Sequence, residues 1–246
     1  MSKQQTNPAN QEYIYGLHPI REVLRAKKRK LLVLYTTQPT PKAFNEIKSL
    51  LPSTVVIKYV TRDTLTRFAQ TPDHQGFVGV TTPFITQKKP FSPQTHPFIL
   101  MLDSIQDVRN MGAILRTAYC TGVHGVVISQ KSSAPINAAA LKASAGLAEH
   151  LPIYEAPSAI AAAQELKKQG YTLYCAALGG KNALEVEYKQ PICLVIGNEA
   201  TGISPQVQKE GTSIMLSQRE PSISYNASVA AGILLFTIAT RIQVLK

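Results

Sequence analysis

Apolar positions along this chain change period several times. Pro19–Ala26 (PIREVLRA) sets Ile20, Val23 and Leu24 at helical spacing, with Pro19 suited to a first turn. Leu31–Thr36 (LLVLYT) reads as a strand, Pro41–Leu51 returns to helical spacing through Phe44, Ile47, Leu50 and Leu51, and Thr54–Val60 (TVVIKYV) is again a strand. Thr61 or Asp63 suits the N-cap of a short helix ending near Phe68, and Phe77–Thr81 (FVGVT) closes the set as a strand. Residues 13–82 are thus predicted to form a small α/β domain of about 70 residues, large enough for its own core. Residues 1–12 are expected to be a disordered polar tail. In 83–97, Pro83, Pro90, Pro93 and Pro97 favour extended chain, so a linker is expected there.

From Phe98 the alternation resumes with longer elements. Phe98–Leu102 (FILML) is nearly all apolar, as buried parallel strands are. The helix that follows has Ile114, Leu115, Ala118 and Tyr119 on its apolar side and Gly122 at C′. Gly125–Ser129, Tyr171–Ala176, Ile192–Ile196 and Ser213–Leu216 read as strands, and Ala138–Gly146, Ser158–Gln169 and Asn226–Val244 as helices. Such alternation implies a mostly parallel sheet with helices on both faces, an α/β class. Ile192–Ser204 (ICLVIGNEATGIS) stands out, because a buried strand stops abruptly in small and polar residues. α/β proteins place ligands outside such carboxyl ends. Three polar loops follow strand ends: Asp107–Arg116, Gly197–Ser204 and Leu216–Ser228.

Charge narrows the reading further. The 246 residues carry a net charge of +11. Through Pro97 there are 14 Lys/Arg against 5 Asp/Glu, and from Phe98 onward 12 against 10, so the excess sits in the first part, with a run at Lys27-Lys28-Arg29-Lys30. A basic face attracts polyphosphate, although a solvated lysine run is the commoner meaning of such a run alone. Concentration in one segment points to nucleic acid. The polar start lacks an apolar signal region, and Val229–Ala239 is too short to span a bilayer, so a cytoplasmic protein without membrane contact is expected, or one of an organelle matrix if a transit segment is removed. Cys120, Cys175 and Cys193 form no CxxC, and the five histidines form no HxxxH, so reduced buried thiols and no metal are expected. Neither GxGxxG nor GxxxxGK[ST] occurs, so neither a dinucleotide-binding fold nor a P-loop has support.

Asn110-Met111-Gly112-Ala113-Ile114-Leu115-Arg116-Thr117-Ala118 resembles the first motif of the SpoU-type RNA ribose 2′-O-methyltransferases, N-x-G-x-x-x-R-x-A. Gly197–Ser204 is similar to their second motif, G-x-E-x-x-G-h-S, and Ser224-Tyr225-Asn226-Ala227-Ser228-Val229-Ala230 to their third, S-L-N-x-S-V-A. Tyr15-Gly16-Leu17-His18, Arg21, Val23-Leu24 and His74-Gln75-Gly76 resemble the L30e-like substrate domain of the 23S rRNA guanosine methylases in that family. The resemblance implies a catalytic domain over 98–246 whose sheet contains a deep trefoil knot, S-adenosylmethionine as cofactor, RNA as partner and a homodimer. The implied RNA is ribosomal, with transfer RNA as the alternative within the enzyme class; a non-catalytic RNA-binding or assembly factor is the alternative outside it. Three departures stand out: Leu216-Ser217-Gln218-Arg219-Glu220 replaces the usual I-P-M-x-G, Tyr225 replaces a usual Leu, and Val108 replaces a usual Pro.

By resemblance, Asn110, Arg116, Glu199, Ser224 and Asn226 are the catalytic candidates, and Leu178, Gly197, Leu216 and Tyr225 the cofactor contacts. A guanidinium is essentially always protonated, so Arg116 is expected to stabilise developing charge on the 2′-oxygen rather than to accept its proton. Asn110 would orient Arg116 or the ribose from the loop at the helix start. Glu199 would fix the loop or Arg116 by a charge-assisted hydrogen bond. Ser224 and Asn226 would orient the third loop, and either residue also suits the cap of the last helix.

Overall fold

The computed structural model describes residues 11–130, 132–220 and 223–245. They divide into two compact units, one comprising residues up to Ile85 together with Ile136–His150, the other Thr86–Pro135 together with Leu151 onward.

The first unit holds β1 (Glu12–Tyr15), α1 (Leu17–Ala26), β2 (Leu31–Thr36), α2 (Asn45–Lys48), β3 (Val56–Tyr59), α3 (Arg62–Ala69) and β4 (Phe77–Thr81). Its sheet runs β1-β4-β2-β3, with β2 and β3 parallel and the other pairings antiparallel. β1 was not expected. Four residues, EYIY, are too short to show alternation, and the strand exists because β4 accepts it along its edge, with Ile14 fully buried. The rest of the expected tail, residues 1–10, lies outside the described residues. The expected helix over Pro41–Leu51 is a 3₁₀ turn, Lys42–Phe44, followed by the single turn α2; only Phe44 and Ile47 reach the core. Thr61, one of the two cap candidates, accepts from the Thr64 N–H at 3.3 Å.

Ile136–His150 lies inside the expected catalytic stretch yet packs in this unit, as α5 (Ala138–Ala143) and a 3₁₀ turn at Leu147–His150. Part of the basic run holds it there. Arg29 is buried and pairs with Glu149 at 2.6 Å and Glu12 at 2.9 Å, and the Lys28 ammonium donates to the His150 carbonyl at 2.9 Å. Burial pushes the Glu149 carboxyl up and Arg29 opposes that push. The two short N-terminal motifs serve the same junction. Gln75 Oε1 accepts from the Leu17 N–H at 3.3 Å and from Lys142 Nζ at 2.6 Å. His74 Nδ1 accepts from the Gly76 N–H at 3.0 Å, which requires a neutral ring, and burial lowers its pKa in the same sense.

The second unit contains β5 (Phe98–Asp103), α4 (Val108–Cys120), β6 (Gly125–Ser129), β7 (Ile153–Ala156), α6 (Ala159–Lys168), β8 (Thr172–Asn182), β9 (Ile192–Gly197), α7 (Pro205–Gln208), β10 (Thr212–Met215) and α8 (Ala227–Arg241). The sheet order is β10-β8-β9-β5-β6-β7 and every pairing is parallel. β7 and α7, each four residues long, were not expected, and β8 runs six residues past the expected end at Ala176. The proline-rich segment is no free linker. Phe91 is buried in the core of this unit, where an added Cβ on Gly125 would meet its ring at 2.5 Å, and Gln87 bridges to Tyr154. Tyr119, placed by its spacing on the apolar side of α4, is instead 43% exposed, and Cys120 is exposed while Cys175 and Cys193 are buried. Among the described residues no helix is long and apolar enough to cross a membrane, and no group of three or more His, Cys, Asp or Glu side chains is placed to hold a metal ion.

Candidate active site

Strand order reverses at β5 and β9. The chain leaves β5 toward β6 and β7, and returns on the other side through β8 and β9, so the loops after β5 and β9 face each other at their carboxyl ends. Asp103, the last residue of β5, is buried and ties the loops together. Its Oδ2 accepts from the Ser204 N–H and from Ser204 Oγ, both at 2.8 Å, and its Oδ1 accepts from Ser104 Oγ at 3.1 Å. Asn198 completes the join. Its amide nitrogen donates to the Ser104 carbonyl at 2.8 Å, while its Oδ1 accepts the N–H groups of Ala200 and Thr201 at 2.9 and 3.1 Å. Gly197 allows the tight return, since a Cβ there would sit 2.2 Å from backbone atoms of Gly202 and Ile203.

On this base the three motif loops share one hydrogen-bonded chain. Asn226 caps α8, its Oδ1 accepting from the Ser228 N–H at 2.9 Å. Because a backbone N–H only donates, that contact fixes which end of the Asn226 amide is oxygen. Asn226 Nδ2 then donates to Asn110 Oδ1 at 3.2 Å, and Asn110 Nδ2 to Glu199 Oε1 at 3.1 Å. Glu199 also accepts from the Gln106 and Asp107 N–H groups, each at 3.3 Å. Burial pushes the Glu199 carboxyl up, but the Asn110 amide and the backbone N–H groups of Glu199, Gln106 and Asp107 outweigh that and hold its pKa below the usual value. The chain therefore runs from a helix N-terminus to an ionised carboxylate, with every donor direction determined.

Asn110 lies in the first turn of α4 rather than in the preceding loop; Asp107 is the N-cap, accepting from the Arg109 and Asn110 N–H groups at 2.6 and 3.0 Å. Arg116, six positions on, turns to another side of the helix. It is exposed and makes no hydrogen bond or ion pair among the described residues, so Glu199 holds Asn110 and not Arg116. Asn226 takes the cap, and Ser224 does not.

A cavity of about 390 Å³ opens beside this chain at the carboxyl ends of β8, β9 and β10. All four expected cofactor contacts, Leu178, Gly197, Leu216 and Tyr225, line it, as do Glu199 and Ser224; Asn110, Arg116 and Asn226 do not. Its walls are mostly small or apolar: Ala176, Ala177, Ala227, Ala230, Ile196, Ile214 and Leu234. Gln208 and Gln218 add polar groups that sequence reasoning did not single out. Tyr225, in place of a leucine, donates from its hydroxyl to the Ser217 carbonyl at 3.2 Å and so ties the third loop to the divergent segment 216–220. Asp103 was not a candidate in the sequence reading, and Asn198 lay within the second motif without an assigned role. An Asp ending an apolar strand was the available signal, but its partner Ser204 is about a hundred residues away. Burial pushes the Cys175 thiol up to about 11, and Asp103 adds to it, so Cys175 beside the site is held as a thiol.

Residues 97–236 match the family model of the SpoU rRNA Methylase family, and residues 13–87 match that for RNA 2′-O ribose methyltransferase substrate binding. YacO of Bacillus subtilis, named for the TrmH family of tRNA/rRNA methyltransferases, is 30% identical over 92% of this chain and 94% of its own length. An uncharacterized tRNA/rRNA methyltransferase of Synechocystis is also 30% identical over 92% of this chain, which spans 62% of that longer protein. Among solved structures, the SpoU methyltransferase AviRb from Streptomyces viridochromogenes, in complex with the cofactor AdoMet, superimposes with a TM-score of 0.77 at 20% identity, covering 96% of this chain and 91% of AviRb. With both domain models matched in order along the sequence and the three motif loops hydrogen-bonded into one site, the chain belongs to the SpoU rRNA methylase family.

Proposed function

We propose that this protein methylates a ribose 2′-hydroxyl of RNA, a guanosine of 23S rRNA being the expected target and tRNA the alternative, with S-adenosylmethionine as the methyl donor. The observation that carries this reading is the continuous chain Asn226–Asn110–Glu199 at the rim of the 390 Å³ cavity. That volume is in the range of small-ligand sites, about 300–1,000 Å³, and small side chains leave backbone accessible along its walls. Leu178, Gly197, Leu216 and Tyr225 would hold the cofactor. When bound, its sulfonium supplies an activated methyl group.

The chain's own residues account for the rest. Glu199 is ionised and fully engaged by N–H donors, so it fixes Asn110 and is not poised as a general base. Arg116, exposed and without an ion pair among the described residues, is free to meet a phosphate and the 2′-oxygen as negative charge develops there. The hydroxyl proton leaves to a phosphate oxygen or water. Ser224, at the cavity wall, positions the substrate side of the third loop.

A homodimer belongs to the same reading. α8 carries Val229, Ile233 and Phe236, 50, 40 and 60% exposed and four and three positions apart on one side of the helix, and an exposed apolar stripe of this kind favours a partner surface. Arg116 does not line the cavity of its own chain, which favours its acting across that interface. A deep trefoil knot in the C-terminal part is in keeping with β9 lying between β8 and β5 while the chain that follows returns to β10.

The test is methyl transfer from labelled S-adenosylmethionine to purified rRNA and tRNA, followed by nuclease digestion and mapping of ribose methylation in cells with and without the protein. Label in 2′-O-methylguanosine of 23S rRNA is the expected result. Label confined to bases, or no transfer to any RNA, refutes the reading.

A further inference from the structure

The positive charge of the first unit falls into two kinds of place. Arg21, Arg25 and Arg29 are engaged by Glu22, Glu46, Glu12 and Glu149, and their role is internal. Lys58, Arg62 and Arg67 are exposed and make no ion pair among the described residues, with Asp63 the one carboxylate on α3. Two of these cations lie against aromatic rings: Lys58 Nζ is 5.8 Å from the ring centroid of Tyr35, and the Arg67 guanidinium is 6.0 Å from that of Phe68. The rings are themselves linked. Phe68 lies 4.8 Å from Tyr35 and 5.7 Å from Tyr13, nearly parallel to the latter at 26°, and all three are only partly buried. β3, which carries Lys58, is the open edge of its sheet and is exposed at all four residues.

We infer that Tyr13, Phe68 and Tyr35, flanked by Lys58 and Arg67, form a stacking platform for unpaired nucleotides of the RNA. This rests on the proposed RNA methyltransferase activity and locates where the first unit grips its substrate. The physical case is complementarity. Bases offer π-faces to aromatic side chains without sequence demand, while unpaired cations at the platform's edge meet the phosphates between them. A core-closing aromatic cluster alone explains the rings, but not two cations held against them with no carboxylate partner among the described residues. The basic run Lys27–Lys30, the more conspicuous feature of the sequence, is engaged differently: its one cation–ring contact among the described residues is Arg29 at 5.4 Å from Phe84, but Arg29 is buried and paired with Glu149, and Lys28 is bonded to the His150 carbonyl.

The experiment uses the full chain and a single-stranded RNA carrying 4-thiouridine, cross-linked by light and mapped by mass spectrometry, with affinities measured over a salt series. Cross-links are expected on Tyr13, Tyr35 or Phe68. Lys58→Gln with Arg67→Gln, two exposed changes that leave the fold intact, should weaken binding about tenfold and lower the salt slope by about 1.4, at ~0.7 per phosphate contact on a single strand. Lys27→Gln with Lys30→Gln removes the same charge and should weaken binding less than about threefold. Cross-links confined to other peptides, or equal losses in the two double variants, overturn the platform while leaving the methyltransferase reading in place. A wild-type protein that binds neither this RNA nor a duplex control at low salt overturns both.

Discussion

Asp103 offers the sharpest test of how the site is held together. Its side chain is 3% exposed and accepts three hydrogen bonds, two from Ser204 at 2.8 Å and one from Ser104 Oγ at 3.1 Å. Hydrogen bonds to a charged group contribute roughly 1.5–3 kcal/mol each, and a buried donor left without a partner costs about 1–3 kcal/mol. Asp103→Asn can keep its carbonyl on Ser204 and turn its NH₂ toward the Ser104 hydroxyl, which can accept. It loses charge assistance only, about 1–2 kcal/mol. Asp103→Ala loses all three contacts and orphans the Ser204 N–H, about 3–5 kcal/mol. At about 2–4 °C per kcal/mol for a unit of this size, the expected drops in Tm are about 2–8 °C and about 6–20 °C. Scanning calorimetry measures both. Since Ser204 ends the loop that carries Glu199, S-adenosylmethionine affinity by titration calorimetry should fall in the same order, with Asn retaining most of it. An alanine variant melting within about 2 °C of wild type would refute the claim that this carboxylate holds the loop.

Arg116→Ala should lower single-turnover methylation by about 10²-fold with cofactor affinity unchanged, and Arg116→Lys should recover little, because a point charge does not replace a planar fork; near-normal turnover removes Arg116 from the site. Glu199 has a depressed folded-state pKa, so the stability it contributes is present above the unfolded value, near 4.5, and is lost as pH falls through the folded value. The Tm gap between wild type and Glu199→Gln should therefore close on acidification, and a gap constant down to about pH 3 would contradict this. Arg29→Met leaves Glu149 buried without its partner and should cost about 3–5 kcal/mol near neutral pH. With the folded pKa of Glu149 raised, that loss should be smallest below the unfolded value and grow as pH rises, as denaturant titrations at acid and neutral pH would show.

Much of the first unit's pattern was legible as sequence because its signals are local. Helical spacing in PIREVLRA is α1 and the Thr61 cap is a four-residue event; in the second unit the apolar run FILML reads directly as the buried strand β5. The three motifs likewise marked where polar residues gather at strand ends, and the residues expected around a cofactor all line one cavity. What local signals could not reveal was partnership between distant residues. β1, β7 and α7 are four residues long and owe their existence to neighbours in the fold. The lysine-rich run read as one exposed patch, yet Arg29 is buried because Glu149, 120 positions later, returns to it. Asn110 was expected to orient Arg116 or the ribose; the fold joins it to Glu199 and Asn226 instead. Short-range spacing determines which segments become helices and strands, since backbone geometry repeats over a few residues. Which carboxylate meets which amide is decided by how strands are ordered in the sheet, a long-range choice that no window of the sequence contains.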